Sequence, residues 1–212
     1  MKKLESTITN MIVVLVGVSL VTGAILAYVN HVTTAPIQAQ AEKALTDGIK
    51  KVMGGGDLKV AANDTVRQTL NGKEATFVIH TTEDASGKSL GAAVESTTGG
   101  FGGDLKVLVG FNPAGDILGY TILQTAETPG LGAKAEAWFQ KDGKGCIIGK
   151  NPSADNLTVS KDGGSVNAIT ASTITSRAFL LAVTNAYGAY KKGMASDANS
   201  GATKANDNQT NK

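Results

Sequence analysis

Met11 to Val29 carries no charged side chain and is mostly Val, Leu and Ile. As a helix it is about 28 Å long, close to the roughly 30 Å hydrocarbon core of a bilayer. Two readings compete for such a run. A cleaved leader has an apolar region of about 7–15 residues closed by a small-residue cleavage site. This run is longer, and the nearby Thr33-Thr34-Ala35 is followed by Pro36. An uncleaved transmembrane anchor over residues 11–30 fits better. Lys2 and Lys3 precede it and the next positive residue is Lys43, so residues 1–10 are expected inside and the rest of the chain outside. Tyr28 and His31 suit the far interface, and membrane lipid is the first expected partner.

Pro36 suits the first turn of a second helix. Ile37, Ala41, Ala44, Leu45, Ile49 and Val52 then form one apolar stripe, stopped by Gly54-Gly55-Gly56. Residues 31–56 therefore read as a connecting helix. Beyond it, Ala75 to His80, Leu90 to Ser96, Leu105 to Phe111 and Ile117 to Leu123 read as strands. The last two flank Asn112-Pro113-Ala114-Gly115-Asp116, a hairpin connection. Cys146 to Ile148 and Leu157 to Val159 are short strand candidates. Hairpin-linked strands with helices elsewhere indicate an α+β domain over residues 57–194, an antiparallel sheet with packed helices. Residues 195–212 hold almost no large apolar side chain and are expected to be disordered.

The formal net charge of +2 leaves no electrostatic footprint for nucleic acid. Cys146 is the one cysteine, so neither an intrachain disulfide nor a cysteine-cluster metal site is available. His31 and His80 lie far apart and each reads as a surface or interfacial residue rather than a metal ligand. No residue set stands out as catalytic.

Val166 to Tyr190 is the most informative stretch of the soluble part. Thr170-Ala171-Ser172-Thr173-Ile174-Thr175-Ser176 runs straight into an apolar helical pattern that includes Phe179, Val183, Ala186, Tyr187 and Tyr190. Lys191, Lys192 and Gly193 end it. Hydroxyls meeting the unpaired N–H groups of a helix N-terminus form a seat for phosphate; they also serve as ordinary helix caps. Two further segments matter. Gly99-Gly100-Phe101-Gly102-Gly103 is a glycine-rich turn not followed by a helix, hence no dinucleotide fingerprint. Glu127-Thr128-Pro129-Gly130-Leu131-Gly132-Ala133-Lys134 reads locally as a turn at Pro129-Gly130, with Thr128 capping a helix through Ala135, Trp138 and Phe139.

Taken together, these segments resemble the FMN-binding domain family, which includes the G subunit of the Rnf electron-transport complex and the C subunit of the sodium-pumping NADH:quinone reductase. Its flavinylation pattern is Asp, two residues, Ser or Thr, Gly, Ala, Thr, one residue, Ser or Thr. Here it stands as Asn167-Ala168-Ile169-Thr170-Ala171-Ser172-Thr173-Ile174-Thr175, with Asn167, Ala171 and Ser172 departing from it. ETPGLGAK looks like a second hallmark, and Phe101 fills the aromatic position of the glycine-rich segment. The resemblance covers about residues 90–190, and the length fits the Rnf member better than the longer quinone-reductase one.

The resemblance implies a cofactor, FMN, esterified through its phosphate to Thr173. Thr170, Ser172 and Thr175 would hold the phosphate beside Ala171. Thr128 and Leu131 would contact the ring, Gly130 and Gly132 would allow close approach, and Glu127 would orient the loop. It implies a redox subunit, not catalytic alone, of a translocating ferredoxin:NAD oxidoreductase complex in a bacterial cytoplasmic membrane, its soluble domain on the periplasmic or outer side. Partners would be the other subunits and the flavin transferase that attaches FMN. A membrane-anchored flavin sensor or regulatory module is the alternative on the same fold. Asp197-Ala198-Asn199-Ser200-Gly201-Ala202-Thr203 matches the first part of the pattern more literally, but Lys204-Ala205 follows and no apolar helix does.

Overall fold

The structure is a computed structural model that describes residues 7–70 and 72–206, with side chains described as far as Met194 except that of Lys73. The chain divides into two units, residues 1–44 and 45–212.

Helix α1, Ile8–Val52, opens the chain. It is the only helix among the described residues long and apolar enough to cross a membrane, with a mean hydropathy of 2.5 over its best window and none of that window buried by protein. From Ile8 to Ile37 its large apolar side chains are exposed, as expected of a surface solvated by lipid. The helix is the candidate membrane anchor of the chain. The sequence pattern breaks this helix before Pro36, whereas the structure carries it through. Pro36 can give no hydrogen bond to Val32 and strains that turn. Thr33 and Thr34 bond back to the carbonyls of Val29 at 2.9 Å and Asn30 at 2.6 Å, in the turn beneath. No glycine or cap stops the helix there, and regular sequence on both sides carries it across.

The second unit is built on a five-stranded sheet: β1 Leu58–Leu70, β2 Lys73–Asp84, β3 Ser89–Gly99, β4 Asp104–Phe111 and β5 Ile117–Thr125. Strand order follows the chain and every pair is antiparallel. The expected β4–β5 hairpin is present. Asn112 closes it by accepting from the Asp116 N–H at 2.8 Å and donating to the Asp116 carboxylate at 2.9 Å, with Gly115 at φ +95°. The short strands expected at residues 146–148 and 157–159 do not form. Val159 makes a single bridge to Val166. Ile147 and Val159 are fully buried, so their apolar character reports core membership and not strand pairing.

Period-two alternation gives the sheet two apolar faces. One, with Phe77, Ile79, Val94, Val107, Val109 and Tyr120, packs against helix α3, Thr173–Asn206. The ring of Phe179 stacks on Phe139 at 4.4 Å and meets Tyr120 edge-on at 4.7 Å; Phe111 stacks on Tyr190 at 5.3 Å. The other face, with Ala93 and Leu108, is covered by Ile49 and Val52 from the last turns of α1 and by Met53 just beyond. Gly110 and Gly119 are paired across β4 and β5. A methyl group on Gly110 would overlap the Val52 carbonyl oxygen, and one on Gly119 would lie 2.9 Å from it. This pair of bare positions lets the helix end sit directly on the sheet.

His80 corrects the surface reading given to it from sequence. It is 5 % exposed, held between Asn63 Oδ1 at 2.7 Å and Glu95 Oε1 at 2.9 Å, with Lys106 on the other Glu95 oxygen. The four residues form a polar row across β1 to β4, on the face away from α3. Burial pushes the Glu95 carboxyl up, but its bonds to His80 and Lys106 outweigh this and hold it below the usual range.

The sequence pattern ends α3 at Gly193 and leaves residues 195–212 without structure. The helix continues to Asn206, since lengthening an existing helix adds one hydrogen bond for each residue fixed. Residues 207–212 lie outside the described residues, and so does the Thr203 side chain.

Candidate functional site

Three connections meet at one end of the sheet. The first is the β3–β4 turn, closed by the Gly99–Asp104 pair and by Gly100 N–H donating to Gly103 O at 2.8 Å. The second leaves β5 at Thr125, whose hydroxyl accepts from the Glu127 N–H at 3.1 Å. The third is the turn into α3. Ser172 N–H donates to Ile169 O at 3.0 Å, and Ser176 N–H gives the first helical bond to Ser172 O at 3.1 Å. The Ser176 hydroxyl completes the cap, accepting from Ile169 N–H at 2.9 Å and donating to Ser172 O at 3.0 Å. Thr98 donates to Ala178 O at 2.9 Å and pins the helix to β3.

Ala171 is the one non-glycine residue with positive φ among the described residues, at +61°. A tight turn that leads directly into a helix imposes the left-handed conformation here, and this is where the family pattern carries glycine.

Between the connections lies a cavity of about 420 Å³, lined by Phe101, Glu127, Thr128, Leu131 and residues 171–175. Glu127, Thr128, Leu131, Ala171, Ser172, Thr173 and Thr175 thus line one cavity. Thr170 and Gly132 are not among the lining residues: Thr170 is exposed and Gly132 is buried. Thr173 is the first residue of α3, half-buried, its side chain at the cavity wall. The N–H groups of residues 173–175 precede the first helical bond and face outward from the helix start. Phe101, Ile174 and Leu131 form an apolar rim, 69 %, 52 % and 42 % exposed. Sequence reasoning misses Ile174 because it fills the unspecified position of the pattern; its place one residue after Thr173 is the available signal.

Glu127 is buried at the back of this cavity. One carboxylate oxygen accepts from Phe101 N–H at 2.6 Å, the other from the Thr175 hydroxyl at 2.8 Å. Ser172 Oγ lies 3.2 Å from the same hydroxyl. The Thr175 proton is therefore committed to Glu127. Thr128 does not cap a helix: a 3₁₀ turn at Gly132–Lys134 leads into α2, Ala135–Trp138, and its preceding residue is Leu131.

The arrangement suits a phosphorylated aromatic ligand. The start of α3 offers N–H donors and the positive end of a long dipole to an anion. The apolar rim offers surface to a flat ring, and the cavity volume falls in the range of cofactor sites.

Comparison with known proteins agrees. The profile of the FMN-binding domain matches residues 100–188, from the glycine-rich turn to the packed part of α3. The G subunit of the ion-translocating oxidoreductase complex of Shewanella oneidensis is 33 % identical over 180 residues, 76 % of this chain and 79 % of that protein. That of Yersinia pestis is 32 % identical over 167 residues, 76 % and 79 %. The G subunit of the proton-translocating ferredoxin:NAD(+) oxidoreductase complex of Clostridium ljungdahlii is 31 % identical over 163 residues, 74 % and 78 %.

Proposed function

The chain belongs to the FMN-binding domain family, among the G subunits of ion-translocating oxidoreductase complexes, and we propose that it is the membrane-anchored subunit that carries electrons within such a complex on covalently held FMN. The complex moves electrons between ferredoxin and NAD and couples this to ion transport. The other subunits and a flavin transferase are its partners, and the soluble domain lies outside the cytoplasmic membrane.

One observation carries this reading. Three motifs far apart in sequence, around Phe101, Glu127 and Thr173, line one cavity at a helix N-terminus. The acceptor is Thr173. Thr173 Oγ1 would form the new bond to the flavin phosphorus as the phosphoanhydride bond of an activated flavin donor breaks, its proton passing to a base of the transferase and the other half of the donor leaving. The N–H groups at the start of α3 and the Ser172 side chain hold the phosphate. Phe101, Leu131 and Ile174 bear on the ring and keep water from one side of it. FMN supplies the redox chemistry; the chain fixes where the ring sits relative to its electron partners.

Tryptic mass spectrometry of the purified chain tests this. FMN is expected on the peptide ending at Arg177, and Thr173→Ala abolishes it. Flavin on the tail peptide ending at Lys204 instead would refute the assignment.

A further inference from the structure

We propose that Glu127 is the positioning residue of this site: its buried carboxylate locks the glycine-rich turn to the first turn of α3 and so fixes where Thr173 presents its hydroxyl. The inference rests on the reading of Thr173 as the flavin acceptor.

A buried carboxylate is costly unless it is paired. None of the salt bridges among the described residues includes Glu127. Its two oxygens are instead satisfied by donors from different parts of the chain, the Phe101 N–H and the Thr175 hydroxyl. Phe101 is 26 residues before it and Thr175 is 48 residues after it. Hydrogen bonds to a charged acceptor are the strong kind. Thr175 lies two residues beyond Thr173, so what fixes Thr175 fixes the turn that carries the acceptor.

The glycines around it point the same way. A methyl group on Gly100 would overlap Glu127 Oε1. One on Gly132 would overlap Glu127 Oε2 and lie 2.8 Å from Thr175 Oγ1. Neither glycine has a positive φ. Backbone strain therefore does not require them; space for the carboxylate does. Gly130 is the contrast, at φ +79° with nothing near its missing side chain.

The test uses the full-length chain in detergent, flavin transferase and its flavin donor, reading covalent flavin per chain by mass and the amide exchange of Phe101 and residues 173–175 in the flavin-free protein. Glu127→Ala is expected to slow attachment on the order of 100-fold, the loss that follows from misplacing a reacting group by about 1 Å, and to speed exchange at those amides. Glu127→Gln keeps an acceptor for Phe101 N–H and points its amide at Thr175 Oγ1, so it retains attachment. Gly100→Ala is expected to slow attachment in the native chain and to cost far less in the Glu127→Ala background, where only Gly103 O remains close, at 3.0 Å. Native rate and unchanged exchange in Glu127→Ala, or an equal Gly100→Ala effect in both backgrounds, would overturn the proposal. Flavin found elsewhere than Thr173 in the native chain would instead sink the acceptor assignment, and the exchange measurement would still decide whether Glu127 orders the turn.

Discussion

Ala171→Gly should make the protein more stable, against the usual direction for a glycine substitution. Ala171 sits at φ +61° and is exposed, so the change removes no buried methyl group. A side chain in the left-handed region costs about 1–2 kcal/mol. Glycine loses more freedom on folding, which takes back about 0.5–1 kcal/mol. Taking the middle of each range, the net gain is roughly 0.7 kcal/mol. For a domain of this size that raises the melting temperature by about 1–4 °C. Calorimetry or circular dichroism of the flavin-free protein in detergent reads the shift. Ala137→Gly is the control. Ala137 is exposed in the helix α2, where the same change costs about 1 kcal/mol. Opposite signs at the two positions are the expected result. A fall in melting temperature for Ala171→Gly would show that this turn is not held in the left-handed conformation.

Protease added to intact spheroplasts should remove the soluble domain, because Lys2 and Lys3 precede the uncharged span; protection until the membrane is broken would reverse the orientation. Gly110→Ala should destabilise the domain by about 1–3 kcal/mol, since the new methyl meets the backbone of Val52, which cannot swing aside as a side chain would. Glu95 is held below its ordinary value of 4.5 in the folded chain. It contributes stability fully above pH 4.5, and that contribution is lost as pH falls through the lower, folded value. Glu95→Gln should therefore flatten the acid limb of a stability-versus-pH curve, and an unchanged limb would remove this carboxylate from acid unfolding.

Strands β2 to β5 were legible as short runs rich in apolar and β-branched residues separated by turn residues. Strand β1 was not. Its sequence, LKVAANDTVRQTL, lies at the sheet edge with most side chains exposed on both faces, so no buried face imposes a pattern. The site was legible where chemistry is local, in the hydroxyls at 170–176 and in ETPGLG. It was illegible where partners are distant. Glu127 has no partner in sequence because its donors are a backbone N–H and a hydroxyl brought to it by the fold. Gly132 was read as room for a cofactor, whereas the group pressing on it is the chain's own carboxylate.

The order of the strands also governs timing. Each strand pairs only with its neighbours in sequence, so the sheet can form hairpin by hairpin as the chain emerges. The proposed acceptor, Thr173, and the turn before it belong to α3, the last element among the described residues. Until α3 docks on β3 and β4, Phe101 and Glu127 have no Thr173 beside them. On the proposed function, a truncated or half-made chain would present nothing to modify, and the attaching enzyme would act as an inspector of finished domains.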